Sequence, residues 1–303
     1  EWSGRNDGPG PEHARWHSTI DTASGPTADA VHLIGFASDE GVERNGGRQG
    51  AAKGPAALRA ALGSLAVHEP RKLIDAGTVT TQDDDLETAQ REVSDRVRDL
   101  VAAQGSAGMT VVLGGGHETS FATHRGAYEA LGPMQVINFD AHFDLRTADR
   151  PTSGTPFRQI AELVGDDFDY SVFGISRPNN TKVLFDTAEQ LGVTTVLDTE
   201  LAAMTVREAA ERALAAVEGD LPIHLSIDLD VLPAAVAPGV SAPAGFGVDY
   251  AALRAMVAAV ASTGRVALLD VVELNPEFDV DNRTAKAAAR LVDDAVVGAT
   301  GRR

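Results

Sequence analysis

A chain of 303 residues that is 43% hydrophobic and only 5% aromatic has enough aliphatic material for one large α/β core. Its 44 Asp+Glu against 26 Lys+Arg leave a net charge of −18, which repels phosphate backbones and anionic bilayers, so the expected partner is a small molecule, not nucleic acid or a membrane. With Cys at 0, disulfides, thiolate metal sites and a cysteine nucleophile are excluded together, and His and carboxylate remain as the strong metal ligands.

Residues 1–28, rich in Gly, Pro and charge, read as an N-terminal arm that packs on the body or stays mobile, and residues 29–303 as a single α/β domain. The first residues carry no apolar leader core and no stretch reaches the roughly 20 apolar residues that span a bilayer, which predicts a soluble, cytoplasmic protein. Apolar, β-branched runs at 31–36, 72–75, 109–113, 135–139, 170–174, 193–197, 222–227 and 265–270 predict about eight buried strands. Segments of helical periodicity lie between them, among them 85–104, 205–219 and 249–262, which open on the capping residues Asp85, Thr205 and Asp249. Strand and helix in alternation imply right-handed crossovers, a mostly parallel sheet and a three-layer α/β/α architecture.

In such sheets ligands bind beyond the C-terminal ends of the strands, and the polar clusters of this chain fall there. The run at 109–113 leads into GGGHE with His117; 135–139 leads into DAHFD with Asp140, His142 and Asp144; HLSIDLD ends a strand on Asp228 and Asp230. Residues at i, i+2 and i+4 of an extended segment share one side, so each cluster is expected to face one way. A lone His after a glycine loop is an ordinary hydrogen-bonded loop residue, and a lone DxD is an ordinary turn or cap. Two His and four Asp converging at three strand ends are different, because buried like charges cost several kcal/mol unless cations neutralise them. They exceed the needs of one ion and suit a pair about 3.5–4 Å apart with shared carboxylates. The oxygen-rich donor set with imidazole favours Mn²⁺ over a tetrahedral structural Zn²⁺. His124, in the following helix, reads as packing or surface, and His224, within a strand, as a core imidazole.

GGGHE, DAHFD and SIDLD, in this order and spacing, resemble the metal signatures of the ureohydrolase superfamily, which includes arginase, agmatinase and formimidoylglutamase, and ELNP at 273–276 is similar to a later motif of that family. The resemblance implies one Mn²⁺ on His117, Asp140, Asp144 and Asp228 and a second on Asp140, His142, Asp228 and Asp230, with Asp140 and Asp228 bridging. It implies a metal-activated water as nucleophile, Asp144 as its hydrogen-bond partner and proton relay, Glu273 paired with the cationic amidine of the substrate, and a homo-oligomeric assembly. Within the superfamily, the segments at 45–55, 177–181 and 238–247, and WSGRND near the N-terminus, look most like formimidoylglutamase. Ser153 also stands where arginases and agmatinases typically carry a His. That likeness implies hydrolysis of N-formimidoyl-L-glutamate to glutamate and formamide in histidine degradation. Such a dianionic substrate calls for Arg48, Arg177 and Asn180 as binding groups, with Ser153 and Thr155 beside them. Each arginine also fits a backbone tie or a surface position, and the 152–156 turn also fits a helix cap. Other readings stay open: an agmatinase or guanidinobutyrase releasing urea, a non-catalytic binding protein, or the single-Zn²⁺ deacetylase branch of the same fold.

Overall fold

A computed structural model describes residues 2–217 and 219–300. Residue 1 of the expected arm, residue 218 within the predicted 205–219 helix, and residues 301–303 at the end of the expected domain lie outside the described residues.

The described strands are β1 (Ile20–Asp21), β2 (Val31–Ala37), β3 (Leu73–Thr80), β4 (Met109–Leu113), β5 (Gln135–Phe139), β6 (Asp169–Ile175), β7 (Thr194–Leu197), β8 (Ile223–Asp228) and β9 (Val266–Val272). They form one 9-stranded sheet in the order β1-β3-β2-β4-β9-β8-β5-β6-β7, with every pairing parallel. The central strands β4, β5 and β8 are buried at every position, as expected for strands covered on both faces. Helices Gly54–Gly63, Val206–Leu214, Tyr250–Ala261 and Arg283–Thr300 share one apolar core with the sheet. Helices Leu86–Ala103, Thr119–Leu131, Pro156–Val164 and Lys182–Gln190 contribute to two further cores. The three-layer α/β/α arrangement follows.

Three predicted caps form: Asp85 accepts from Thr88 N, Thr205 from Glu208 N, and Asp249 from Ala251 N and Ala252 N. The predicted 205–219 helix ends early, at Leu214. The predicted strand 72–75 runs on to Thr80, because Gly77 at φ 85° and the half-exposed residues around it hide the second half of the strand, which apolar periodicity does not reveal. The ninth strand is a second departure. β1 lies inside the arm, pairs Ile20 with Leu73 and Asp21 with Ile74, and is too short to leave a pattern in sequence. The arm is packed: Trp16 is fully buried and donates from Nε1 to Asp293 at 3.0 Å, and Trp2 donates to Asp75 at 2.6 Å.

The chain order decides where the site forms. It builds β1 to β4 outward from one edge, crosses to β5, β6 and β7, and returns to fill the centre with β8 and β9. The loops leaving β4 and β5 therefore diverge, and a crevice opens above β4, β9, β8 and β5.

Candidate active site

Each of those four strands delivers polar residues at its C-terminal end. After β4 the glycine run turns under the β2 loop; at Gly115 a Cβ would lie 1.8 Å from the Ser38 carbonyl oxygen, so only glycine fits. His117 follows, 1% exposed. β5 ends at Phe139 and hands over to Asp140, His142 and Asp144; β8 ends on Asp228, with Asp230 in the turn beyond; β9 is followed by Glu273. Asp144 at φ 51° and Glu273 at φ 67° both sit in the left-handed region, which costs a non-glycine residue free energy and is held by the surroundings.

The expectation that Asp140, His142 and Asp144 share one side of an extended segment is corrected. Residues 140–144 are a folded loop: Asp140 Oδ1 accepts from His142 N at 2.6 Å, and the backbone turns left-handed at Asp144. Convergence comes from this turn. His117 Nδ1 lies 3.1 Å from Asp140 Oδ2, 2.9 Å from Asp144 Oδ2 and 3.0 Å from Asp228 Oδ2. His142 Nδ1 lies 3.0 Å from Asp230 Oδ2 and 3.7 Å from Asp140 Oδ1. Two donor sets result, His117–Asp140–Asp144–Asp228 and Asp140–His142–Asp230, and Asp140 belongs to both. The resemblance makes Asp228 a second shared ligand; here it gathers only with the first set, and its Oδ1 is engaged by Asp230 N at 2.8 Å.

The electrostatics are those of a site built for cations. Burial and the Asp140 charge push the Asp144 carboxyl up to about 6, and burial with the charges of Asp230 and Asp140 pushes Asp228 well above the ordinary range. Burial also opposes the charge of Asp140, yet the His117 and His142 rings beside it hold it low. The Asp230 charge drives His142 up to about 12. Glu273 is raised to about 7, chiefly by burial, while its Oε1 accepts from His117 N at 2.8 Å and its Oε2 from the Ser241 hydroxyl. Behind it, buried Glu118 is raised to about 8 by burial and by Glu273, and it ties the β2 loop by accepting from Ser38 Oγ and Gly41 N.

His117, His142, Asp144, Asp228, Asp230, Ser241 and Glu273 line a cavity of about 300 Å³, and Asp140 and Glu118 are fully buried. The predicted substrate contacts meet different fates. Ser153 lines the cavity and accepts from Asn45 Nδ2 at 3.1 Å. Asn180 also lines it, but its amide is spent on the backbone of Ala141, Phe143 and Ser176, so it braces the 140–144 loop. Thr155 bonds Thr152 and Gln159 and organises the turn ahead of helix Pro156–Val164. Arg48 lies 3.8 Å over the Phe278 ring and donates to the Val240 and Ser241 carbonyls, which makes it a backbone tie. Arg177 sits exposed on the short turn Arg177–Asn179, away from the cavity lining. The cation that lines the cavity is Arg146, beside Asn45 and Ser153, and among the described residues its guanidinium has no partner. Sequence reasoning missed Arg146, Asn45 and Ser241; the signal available for Arg146 was its place two residues beyond Asp144 in the same loop.

A site of this make-up on this fold belongs to a known class. The model of the Arginase family matches residues 29–298, and the chain belongs to that family. It is a hydrolase of carbon–nitrogen bonds in linear amidines. Among its relatives, the formimidoylglutamase of Corynebacterium efficiens is 49% identical over 296 residues, 97% of this chain and 93% of that protein. That of Nocardia farcinica is 48% identical, covering 96% of this chain and 94% of its own length. The crystal structure of Trypanosoma cruzi formiminoglutamase with Mn²⁺ superposes with a TM-score of 0.82 at 30% identity, covering 91% of this chain and 95% of that one. Formimidoylglutamase from Bacillus subtilis superposes with a TM-score of 0.86 at 24% identity, over 95% of this chain and 92% of that one, which shows the common fold.

Proposed function

We propose that this protein hydrolyses N-formimidoyl-L-glutamate to L-glutamate and formamide with the help of two Mn²⁺ ions, in histidine degradation. The observation that carries the substrate is the polarity of the cavity: its lining holds both the Glu273 carboxyl and the Arg146 guanidinium, unpaired among the described residues, which suit a molecule with a cationic amidine and anionic carboxylates. The donor set fits divalent cations. An imidazole nitrogen carries at most one proton, yet His117 Nδ1 stands about equally near three carboxylate oxygens and makes no hydrogen bond of acceptable geometry to any of them. Such convergence of one nitrogen and three oxygens is what a metal ion requires. His117, Asp140, Asp144 and Asp228 would hold one ion, and Asp140, His142, Asp230 and, by family likeness, Asp228 the other.

The bound ions would supply a water activated near neutral pH and a positive field for developing charge. The chain's own residues do the rest. Glu273, fixed by Ser241 Oγ and His117 N, pairs with the amidinium and orients its planar carbon. Arg146, with Asn45 and Ser153, receives a substrate carboxylate. The water oxygen bonds to the formimidoyl carbon and the bond from that carbon to the glutamate nitrogen breaks. Asp144, in the first donor set, passes the water's two protons in turn to the departing nitrogen, which leaves as the ammonium group of glutamate. Glu, formamide and an unchanged site remain. Homo-oligomeric assembly and a cytoplasmic setting complete this reading; the described residues contain no helix long and apolar enough to cross a membrane.

The test is a substrate panel on Mn²⁺-loaded enzyme. Formamide release from the formimidoyl substrate, with no urea from agmatine or guanidinobutyrate, is the expected result. Urea release without formamide would replace this reading with the amidinohydrolase one.

A further inference from the structure

Beneath the cavity lies a buried polar chain for which the reaction above has no use. His117 turns its Nε2 away from the carboxylates, to 3.0 Å from Ser226 Oγ. Ser226 Oγ is 3.2 Å from Ser120 Oγ, and Ser120 donates to Asp270 Oδ2 at 2.7 Å. The same carboxylate oxygen accepts from Thr123 Oγ1 at 3.0 Å and lies 2.7 Å from His224 Nε2, whose Nδ1 meets His124 Nδ1 at 3.1 Å. His117 and His124 are 1% exposed and the others 0%. The sheet builds the arrangement: Ser226 on β8 and Asp270 on β9 are register partners, and Ser120 stands in the first turn of the helix that follows GGGHE.

The direction of the hydrogen bonds follows from what each group owns. A carboxylate only accepts, so Ser120 gives its proton to Asp270. Ser120 oxygen is then free to accept from Ser226, and Ser226 oxygen to accept from His117 Nε2–H. Each hydroxyl passes one proton inward, and a buried anion three bonds away sets the sense of the whole chain. With the ring proton on Nε2, the Nδ1 lone pair faces Asp140, Asp144 and Asp228. We propose that Asp270, acting through Ser120 and Ser226, is a positioning residue that holds the His117 proton on Nε2 and aims Nδ1 at the metal site. This rests on the reading of His117 as a metal ligand. A directly bonded carboxylate commonly orients a ligating imidazole in the same way; here two serine hydroxyls lie between. His224, expected as a core imidazole, supports Asp270 from the far side, and His124, expected as packing or surface, is buried behind it.

The experiment measures Mn²⁺ affinity of the metal-free full chain from the electron-paramagnetic signal of unbound Mn²⁺, together with the melting temperature of the metal-free protein. Ser226→Ala and Ser120→Ala should each bind Mn²⁺ about 10–100-fold more weakly while melting near the wild type, and Ser120→Thr, which keeps the hydroxyl, should restore binding. Wild-type affinity in Ser226→Ala, or a loss there that Ser120→Ala does not share, overturns the proposal. Should Ser226→Ala not fold, Ser120→Ala, which leaves the His117 contact untouched, decides alone. Equal affinity in wild type and His117→Ala would instead sink the ligand assignment beneath it.

Discussion

Asp75 at the edge of the sheet and Asp140 at its centre are the same side chain in similarly secluded places, 8% and 0% exposed, yet they have opposite surroundings. Asp75 is satisfied from within: Arg59 grips both its oxygens at 2.8 Å, Trp2 Nε1 and Gly77 N add two more bonds, and these hold its carboxyl low against the burial that would raise it. Asp140 meets Asp144 and Asp228, two further carboxylates, around one imidazole. A cavity of about 500 Å³ beside Asp75 exceeds the one beside Asp140, so size does not mark the site. What separates a structural carboxylate from a functional one is whether the fold supplies its counter-charge.

The two carboxylates should fail in opposite ways, Asp140 most severely. Asp140→Ala should abolish Mn²⁺ binding and lower turnover on the order of 10⁴-fold or more, measured by metal content and single-turnover rate; retained turnover would sink the metal chemistry. Asp75→Ala should do the reverse, costing roughly 3–5 kcal/mol in denaturant unfolding by stranding Arg59, with kcat near wild type. Removing the charge that receives the amidinium in Glu273→Gln should reduce kcat/KM about 10²–10³-fold while metal content holds. Arg146→Ala should weaken kcat/KM roughly 10–100-fold through KM, the range for one charged hydrogen bond; an unchanged KM would remove Arg146 from the carboxylate pocket.

The smallest effect is in pH. Asp144, Glu273 and Glu118 have folded values of about 6, 7 and 8, above the unfolded value of about 4, so the folded metal-free protein keeps protons that the unfolded chain releases. Their stabilisation is full below about pH 4 and is lost as pH rises through 6, 7 and 8. His142, raised to about 12, adds loss of the same sign above its unfolded value of about 6.5, and the lowered Asp140 acts only below this window. Metal-free protein should therefore melt lower at about pH 8.5 than at about pH 5, and Mn²⁺ should raise the melting temperature more at the higher pH, because cations replace the protons. A flat metal-free profile would mean the carboxylates are not crowded as described.

Much of this was legible in the residues. Apolar runs too continuous for a half-exposed strand announced the buried centre of the sheet, and Asp140, His142, Asp228 and Asp230 stood out because charged residues had no other reason to follow such runs so closely. What escaped was either too short for a period, as with β1, or dependent on partners distant in sequence. Arg48, Arg177 and Arg146 are equivalent in composition and all sit in loops near the motifs. Arg48 is consumed by Phe278 and two carbonyls, Arg177 is exposed and outside the cavity lining, and Arg146 is left with none to pair with among the described residues. The six candidate ligands, their order and the alternating architecture were thus determined by sequence alone, since hydrophobic periodicity and strand-end position are local properties. Which arginine is free, which carboxylate the two donor sets share, and that Asp270 stands three hydrogen bonds behind His117 were decided only by tertiary structure, because charge compensation is settled by neighbours that the chain brings together only when it folds.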